Sequence, residues 1–209
     1  MSAAVLIADD HPLFRQALRL AVEKVLPGAD IAEAGTLAAA ARAASAAPDL
    51  KLILLDLKMP GAVGYSGIAL LHAECPDVPI LVVSSAEGAA AADEARVFGA
   101  IGFLHKGSDL GAIETAITQA LGGRGPARAS ETTSEVEAIR ETVSSLTPTQ
   151  LKVLLAVLDG QLNKQIAHSL GISEATVKAH MTAIMRKLDV RNRTQAALVA
   201  RSLGLDLRH

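Results

Sequence analysis

The strongest constraint on this chain is a set of short apolar runs that recur at intervals: "AVLIA" (4–8), "LILL" (52–55), "ILVV" (80–83) and "AIGFL" (100–104), with a weaker "ADIAEA" near residue 31. Each has the length of a strand. A continuous apolar run closed by turn residues is the pattern of a strand buried on both faces, as at the centre of a parallel sheet. Between the runs lie segments of helical length rich in Ala, Leu, Glu and Arg, such as "LFRQALRLAVEKVL", in which Leu13, Leu18, Leu20, Ala21 and Val25 are expected to share one side. Strands alternating with helices predict a parallel α/β sheet.

This grammar stops at Leu121. The next stretch, "GGRGPARASETTSE", has linker composition, and "EVEAIRETVSS" regains helical periodicity. The expected organisation is a first domain over 1–121, a partly helical linker over 122–145 and a second, all-α domain over 146–209. Charge follows the same division. The first part carries 8 Lys+Arg against 14 Asp+Glu, the linker 3 against 4, and the last part 9 against 4. The net charges of −6, −1 and +5 sum to the −2 of the whole chain, so the two domains are expected to meet different partners.

The single Cys75 excludes an internal disulfide, and no Cys/His cluster has zinc-ligand spacing. The opening "MSAAVLIADDHP" has no basic segment before its apolar run and is not expected to be a signal peptide. No run reaches the ~18 apolar residues of a membrane span. A cytoplasmic, soluble protein is the expectation.

The four stronger runs each lead into a polar side chain. The first ends on Asp9 and Asp10, "KLILLDLKMPG" delivers Asp56, "ILVVSS" delivers Ser84 and "GFLHKG" delivers Lys106. In an open α/β sheet ligands bind outside the carboxyl ends of the strands, so these groups are expected to converge. Neighbouring carboxylates repel unless a cation neutralises them, and hard oxygen ligands suit Mg²⁺. A carboxylate nucleophile, a divalent ion, a hydroxyl and an ammonium are the parts of phosphoryl transfer.

Through Asp9/Asp10, the "LLDLKMPG" block with Asp56, Pro60 and Gly64, then Ser84 and Lys106, residues 3 to 121 resemble the receiver domain of two-component response regulators. The resemblance implies a flavodoxin-like, five-stranded, doubly wound parallel sheet. It implies that Asp56 is the phosphoacceptor, that Asp10, Asp56 and the Lys58 carbonyl hold Mg²⁺ with Asp9 acting through water, and that Ser84 and Lys106 bind the phosphoryl group. Phe103 stands where many receivers carry a switch tyrosine, so Ser84 and Phe103 would switch through ring packing without a phenolic hydroxyl. Gly107 stands where many receivers have proline. His11 is read as a polar helix-start residue, and Cys75 as a small core or loop residue.

The last part opens with "LTPTQLKVLLAVLDG", with Thr147 as N-cap, Pro148 at the first helical position and Gln150 completing a capping box before Gly160. "NKQIAHSLG" follows, with Asn163 expected as N-cap and Gly171 as stop, then "SEATVKAHMTAIMRKL" capped by Ser173 and a final helix from about Thr194 to Leu203. Val177, Met181, Ile184 and Leu188 form one face of the third helix. Its opposite face shows Ala175, Lys178, Ala179, Thr182 and Arg186, small residues mixed with cations, suited to approach DNA bases. Two helices around a Gly turn give helix-turn-helix grammar.

From "LTP" through "NKQIA", "ISEATVKAH" and "KLDV" to "RT", this part resembles the LuxR-type DNA-binding domain. By that resemblance Lys178, Ala179 and Thr182 face base edges, while Lys164, Ser173, Thr176 and Arg193 contact the backbone of double-stranded DNA. Gln150 replaces the glutamate of many members. Receiver plus LuxR-type domain resembles the NarL/FixJ subfamily. The implied function is a transcription regulator switched by phosphorylation from a histidine kinase or phosphotransfer protein, active as a homodimer, with RNA polymerase as a further candidate partner. In the inactive state the acidic receiver is expected to cover the basic DNA-binding face.

Two other readings stay open at this level. A regulator of the same shape could respond to a ligand or a protein partner without phosphorylation, although an autoinducer pocket needs aromatic lining and the chain has no Trp and one Tyr. An aspartyl-phosphate hydrolase would place a second acid two residues after Asp56, where Lys58 stands. The chain is therefore not expected to be an enzyme, beyond self-phosphorylation and slow dephosphorylation.

Overall fold

In the computed structural model the described residues are 3–62, 64–85, 89–122, 141–142, 145–202 and 205. Most of the expected linker, 123–140 and 143–144, lies outside them, as does Leu203 at the expected end of the last helix.

The five apolar runs form strands β1 (Ala4–Ala8), β2 (Asp30–Ala34), β3 (Leu50–Leu55), β4 (Ile80–Ser84) and β5 (Ala100–His105). All pair in parallel, in the order β2-β1-β3-β4-β5. The apolar β1, β3 and β4 occupy the centre, and the more polar β2 takes an edge, as expected for strands that must be covered on both faces.

The pleat sends alternate side chains to two cores. Val5, Ile7, Leu52, Leu54, Leu81 and Val83 face helices α1 (Pro12–Val25) and α5 (Leu110–Leu121), where Leu18, Ala21, Val22, Ile113 and Ile117 are buried. Leu6, Ile53, Leu55, Ile80 and Val82 face the other way, toward α2 (Leu37–Ala46), α3 (Ser66–Glu74) and α4 (Ala89–Val97). The α1 face departs from the sequence expectation. Leu13 and Leu20 are 82% and 61% exposed, while Val22 is fully buried and Phe14 packs on the core. At about 100° per residue, Leu13 and Leu20 point away from Leu18, Ala21 and Val25, so leucine content misled where angular position decides.

The second domain is all helical: α6 (Pro148–Leu158), α7 (Asn163–Leu170), α8 (Glu174–Lys187) and α9 (Arg193–Ser202). The α6 capping box is present, with Gln150 N–H donating to Thr147 Oγ1 at 3.3 Å and Thr147 N–H donating to Gln150 Oε1 at 3.1 Å. For α7 the expected cap is corrected. Leu162 is the N-cap and Asn163 the first helical residue, because the Gln165 carboxamide accepts the Leu162 N–H at 2.7 Å and Asn163 Oδ1 is taken by Arg193 Nη1 at 2.8 Å.

The two domains touch through α3 and α6. Lys152 on α6 forms an ion pair with Glu74, the last residue of α3, and Glu74 also lies 3.5 Å from Ser45 Oγ on α2. The core on the α2–α4 side of the sheet continues into that of the helical domain through this contact. The expected covering of the DNA-binding face is not seen in this arrangement: α6 meets the receiver, and Lys178, Ala179 and Thr182 on α8 are exposed.

Candidate functional site

Parallel strands end at one edge, and here that edge gathers Asp9 and Asp10 after β1, Asp56 after β3, Ser84 at the end of β4 and Lys106 after β5. Asp56 is 2% exposed and Asp9 1%. Buried carboxylates need partners. Asp56 Oδ1 accepts the Lys58 N–H at 3.1 Å, and Asp56 Oδ2 lies 2.8 Å from Lys106 Nζ. The same ammonium is 2.7 Å from Asp9 Oδ2, while Asp9 Oδ1 accepts the His11 N–H at 2.7 Å. Lys106 Nζ also sits 5.0 Å from the Phe14 ring centroid, within cation–π range. Burial alone would lower the Lys106 pKa, but hydrogen bonds to Asp56 and Asp9 and their charges outweigh it and raise it.

One ligand atom from each of Asp9, Asp10, His11 and Asp56 lies within 4.8 Å of the others. Three carboxylates face the single ammonium of Lys106, so negative charge is left over, and the oxygens are hard donors. The cluster is of the kind that can hold a metal ion, and its chemistry fits a divalent one. The Lys58 backbone lies in the same turn, with its side chain outward.

Ser84 is fully buried, and its carbonyl accepts the Lys106 N–H at 2.9 Å, which ties the ends of β4 and β5 together. Phe103 is half-buried, paired with Val82 in the sheet and packed on the α2–α4 side. Gly107, the departure from proline, donates its N–H to His105 Nδ1 at 3.0 Å, a bond that a proline ring cannot make.

Two residues of the site were not assigned to it from sequence. His11, expected only to start a helix, does precede α1 as its N-cap, but its Nδ1 lies 2.6 Å from Asp10 Oδ1 and 3.4 Å from Lys106 Nζ. Arg15 donates from Nη1 to the Asp9 carbonyl at 2.7 Å and pairs through Nε with Glu33 at 3.0 Å, bracing the turn that carries the acids. No local pattern announces Arg15. Its role depends on Glu33 of β2 standing beside Ile7 of β1 in the sheet register.

The second candidate surface is on α7 and α8. Gly171 ends α7 with φ +67°, and the left-handed turn, which suits glycine, starts the path into α8. Ser173 caps α8, its Oγ accepting the Thr176 N–H at 3.1 Å and lying 2.8 Å from Thr176 Oγ1. Val177, Met181, Ile184 and Leu188 are buried, and Lys178, Ala179, Thr182 and Lys164 are exposed. Arg193 is engaged inside the domain, bonding Asn163 and the Gln161 carbonyl. Lys187, at the end of α8, donates to the Ser145 carbonyl and to Gln150 Oε1 at 2.8 Å, so the glutamine at 150 serves packing and capping. Among the described residues no helix is long and apolar enough to cross a membrane.

Comparison with known proteins bears on both surfaces. Residues 5–118 match the family model described as a response regulator receiver domain, and residues 144–200 match that of the bacterial regulatory proteins of the luxR family. The glycerol metabolism activator of Pseudomonas putida is 40% identical over 207 residues, 94% of each chain. The nitrate/nitrite response regulator NarP of Escherichia coli is 36% identical over 203 residues, 93% of each chain. Among solved structures, the receiver domain of the putative response regulator NarL from Mycobacterium tuberculosis matches with a TM-score of 0.52 and 30% identity, covering 59% of this chain and 98% of that one. The chain belongs to the two-component response regulators in which a receiver domain is joined to a LuxR-type DNA-binding domain.

Proposed function

We propose that the chain is a transcription regulator switched by phosphorylation of Asp56, the phosphoryl group coming from a partner histidine kinase or phosphotransfer protein. The observation that carries this reading is the buried Asp56 carboxylate at the sheet edge, with one oxygen on the Lys58 N–H and the other on Lys106. A carboxylate oxygen attacks phosphorus as the bond to the donor breaks. Lys106 then transfers its hydrogen bond to the phosphoryl oxygens, and the Ser84 hydroxyl binds another. Mg²⁺ held by Asp10, Asp56 and the Lys58 carbonyl, with Asp9 through water, would shield the approaching phosphate from the carboxylates.

The phosphorylated chain acts as a homodimer on double-stranded DNA. Lys178, Ala179 and Thr182 face base edges, with Lys164, Ser173 and Thr176 on the backbone. Arg193, tied to α7, holds the start of that helix toward the phosphates. Phe103 repacks when Ser84 engages the phosphate. The setting is the cytoplasm, with RNA polymerase a further partner, and no catalytic turnover beyond the receiver's own phosphorylation and slow dephosphorylation.

Intact-mass measurement after treatment with acetyl phosphate and Mg²⁺ tests the reading. One phosphoryl group is expected on the wild type and none on Asp56→Ala or on the wild type with chelator. A phosphorylated Asp56→Ala protein overturns the assignment.

A further inference from the structure

We propose that α8 reads the 5-methyl groups of thymines in the major groove, with Lys178 taking a guanine beside them, a specificity that rests on the DNA-binding reading above. The face of α8 opposite its buried residues carries Ala175, Ala179, Thr182 and Arg186, at successive spacings of four, three and four, all exposed. Ala175 and Ala179 offer nothing but methyl groups. Thr182 is polar in the sequence, yet its hydroxyl donates to the Lys178 carbonyl at 3.0 Å. Its single O–H is therefore spent on its own helix, which leaves a methyl group and an oxygen that can only accept.

The other hydroxyls near the start of α8 are also committed. Ser173 caps the helix, and its Oγ lies 2.8 Å from that of Thr176. The stripe holds no Asn or Gln to clamp adenine and no carboxylate to accept from cytosine. Lys178, beside it, is exposed, and its side-chain ammonium has no hydrogen-bond or ion-pair partner among the described residues. Lysine donates to guanine O6 and N7, and Ala and Thr methyls meet the thymine methyl, the one apolar group displayed in the major groove. Small side chains let the helix come close enough for those methyls to touch. Arg186, more than two turns further along, lies nearer the C-terminal end, away from the part of a recognition helix that usually reaches the bases.

The test uses the full chain treated with acetyl phosphate and Mg²⁺. Binding sites are enriched from random duplexes, then resynthesised with single thymines replaced by deoxyuridine, which removes a methyl and no hydrogen-bonding group. A loss of about fourfold in affinity is expected at each thymine that faces α8, the size of one buried methyl group. Thr182→Val, which keeps a methyl and loses the hydroxyl, should retain this sensitivity, and Thr182→Ser, which does the reverse, should bind thymine and uracil sites equally at that position. Uracil sites that bind as well as thymine sites overturn the proposal, as does sensitivity kept by Thr182→Ser and lost by Thr182→Val. Those outcomes leave DNA recognition standing. A chain that enriches no sequence overturns both the proposal and the reading beneath it.

Discussion

Asp56 shows at the residue scale why a carboxylate can close an apolar strand: the strand anchors it, and Lys106 and the Lys58 N–H satisfy it. Tyr65 sits on the opposite side of the same economy. Its ring stacks on Phe98 with centroids 5.4 Å apart, and burial, then the hydrogen bond to Glu94 and that carboxylate's charge, raise its pKa well above the ordinary phenol value. Lys106 is also raised. Both groups bind their proton more tightly folded than unfolded, so their stabilisation is complete below the unfolded values of about 10 and is lost as pH rises through the folded ones. The melting temperature of the receiver is expected to fall as pH rises from about 10 toward 12, and the fall should be shallower in Tyr65→Phe. Thermal denaturation followed by circular dichroism across that range checks this, and equal slopes would refute it.

Two places stand out at the element scale. Gly99 enters β5 at φ +108°, and a Cβ there would lie 2.6 Å from Cγ of His72 on α3. Gly99→Ala therefore combines a strained backbone with a clash against a neighbouring helix, and should cost about 2 kcal/mol or more in chemical denaturation. In the second domain the Thr147 cap is braced by Gln150, which Lys187 of α8 also holds. Thr147→Ala should cost ~1 kcal/mol. A greater loss of stability is expected when Lys187→Met is added, because that removes the donor shared by Gln150 and the Ser145 carbonyl. Urea unfolding of the single and double variants measures both effects. These cap residues read directly from sequence because capping is local. The α1 face did not, since helix angle outweighs leucine content, and the α7 cap passed to Leu162 once Arg193 took the Asn163 side chain.

For the whole molecule, the contact between α3 and α6 replaces the expected masking of the recognition helix. Glu74 and Lys152 are both partly withdrawn from solvent, and their pair joins the end of a receiver helix to the first helix of the DNA-binding domain. Asp56 does not touch the DNA-reading face, so phosphorylation must shift an equilibrium between arrangements. Glu74→Lys should open the docked arrangement, since it replaces an attraction of roughly 1 kcal/mol with a repulsion. Small-angle scattering should give a larger radius for Glu74→Lys, and the Glu74→Lys/Lys152→Glu double variant should return toward the wild type. An unchanged radius in the single variant would show that the apolar contact suffices.

The sequence alone determined the alternation of strand and helix, the strand-end positions of Asp9, Asp10, Asp56, Ser84 and Lys106, the capping of α6 and α8 and the buried face of α8. All of these follow from periodicity and local hydrogen bonding, which act within a few residues along the chain. Tertiary structure alone decided that one ammonium bridges Asp9 and Asp56, that Arg15 braces the acid turn through Glu33, and that His11 joins the cluster. It also decided that Thr182 spends its hydroxyl on its own helix, and that the domains meet through Glu74 and Lys152. These depend on strand register, rotamer and docking, which bring together residues that the sequence keeps far apart or leave open choices that composition cannot make.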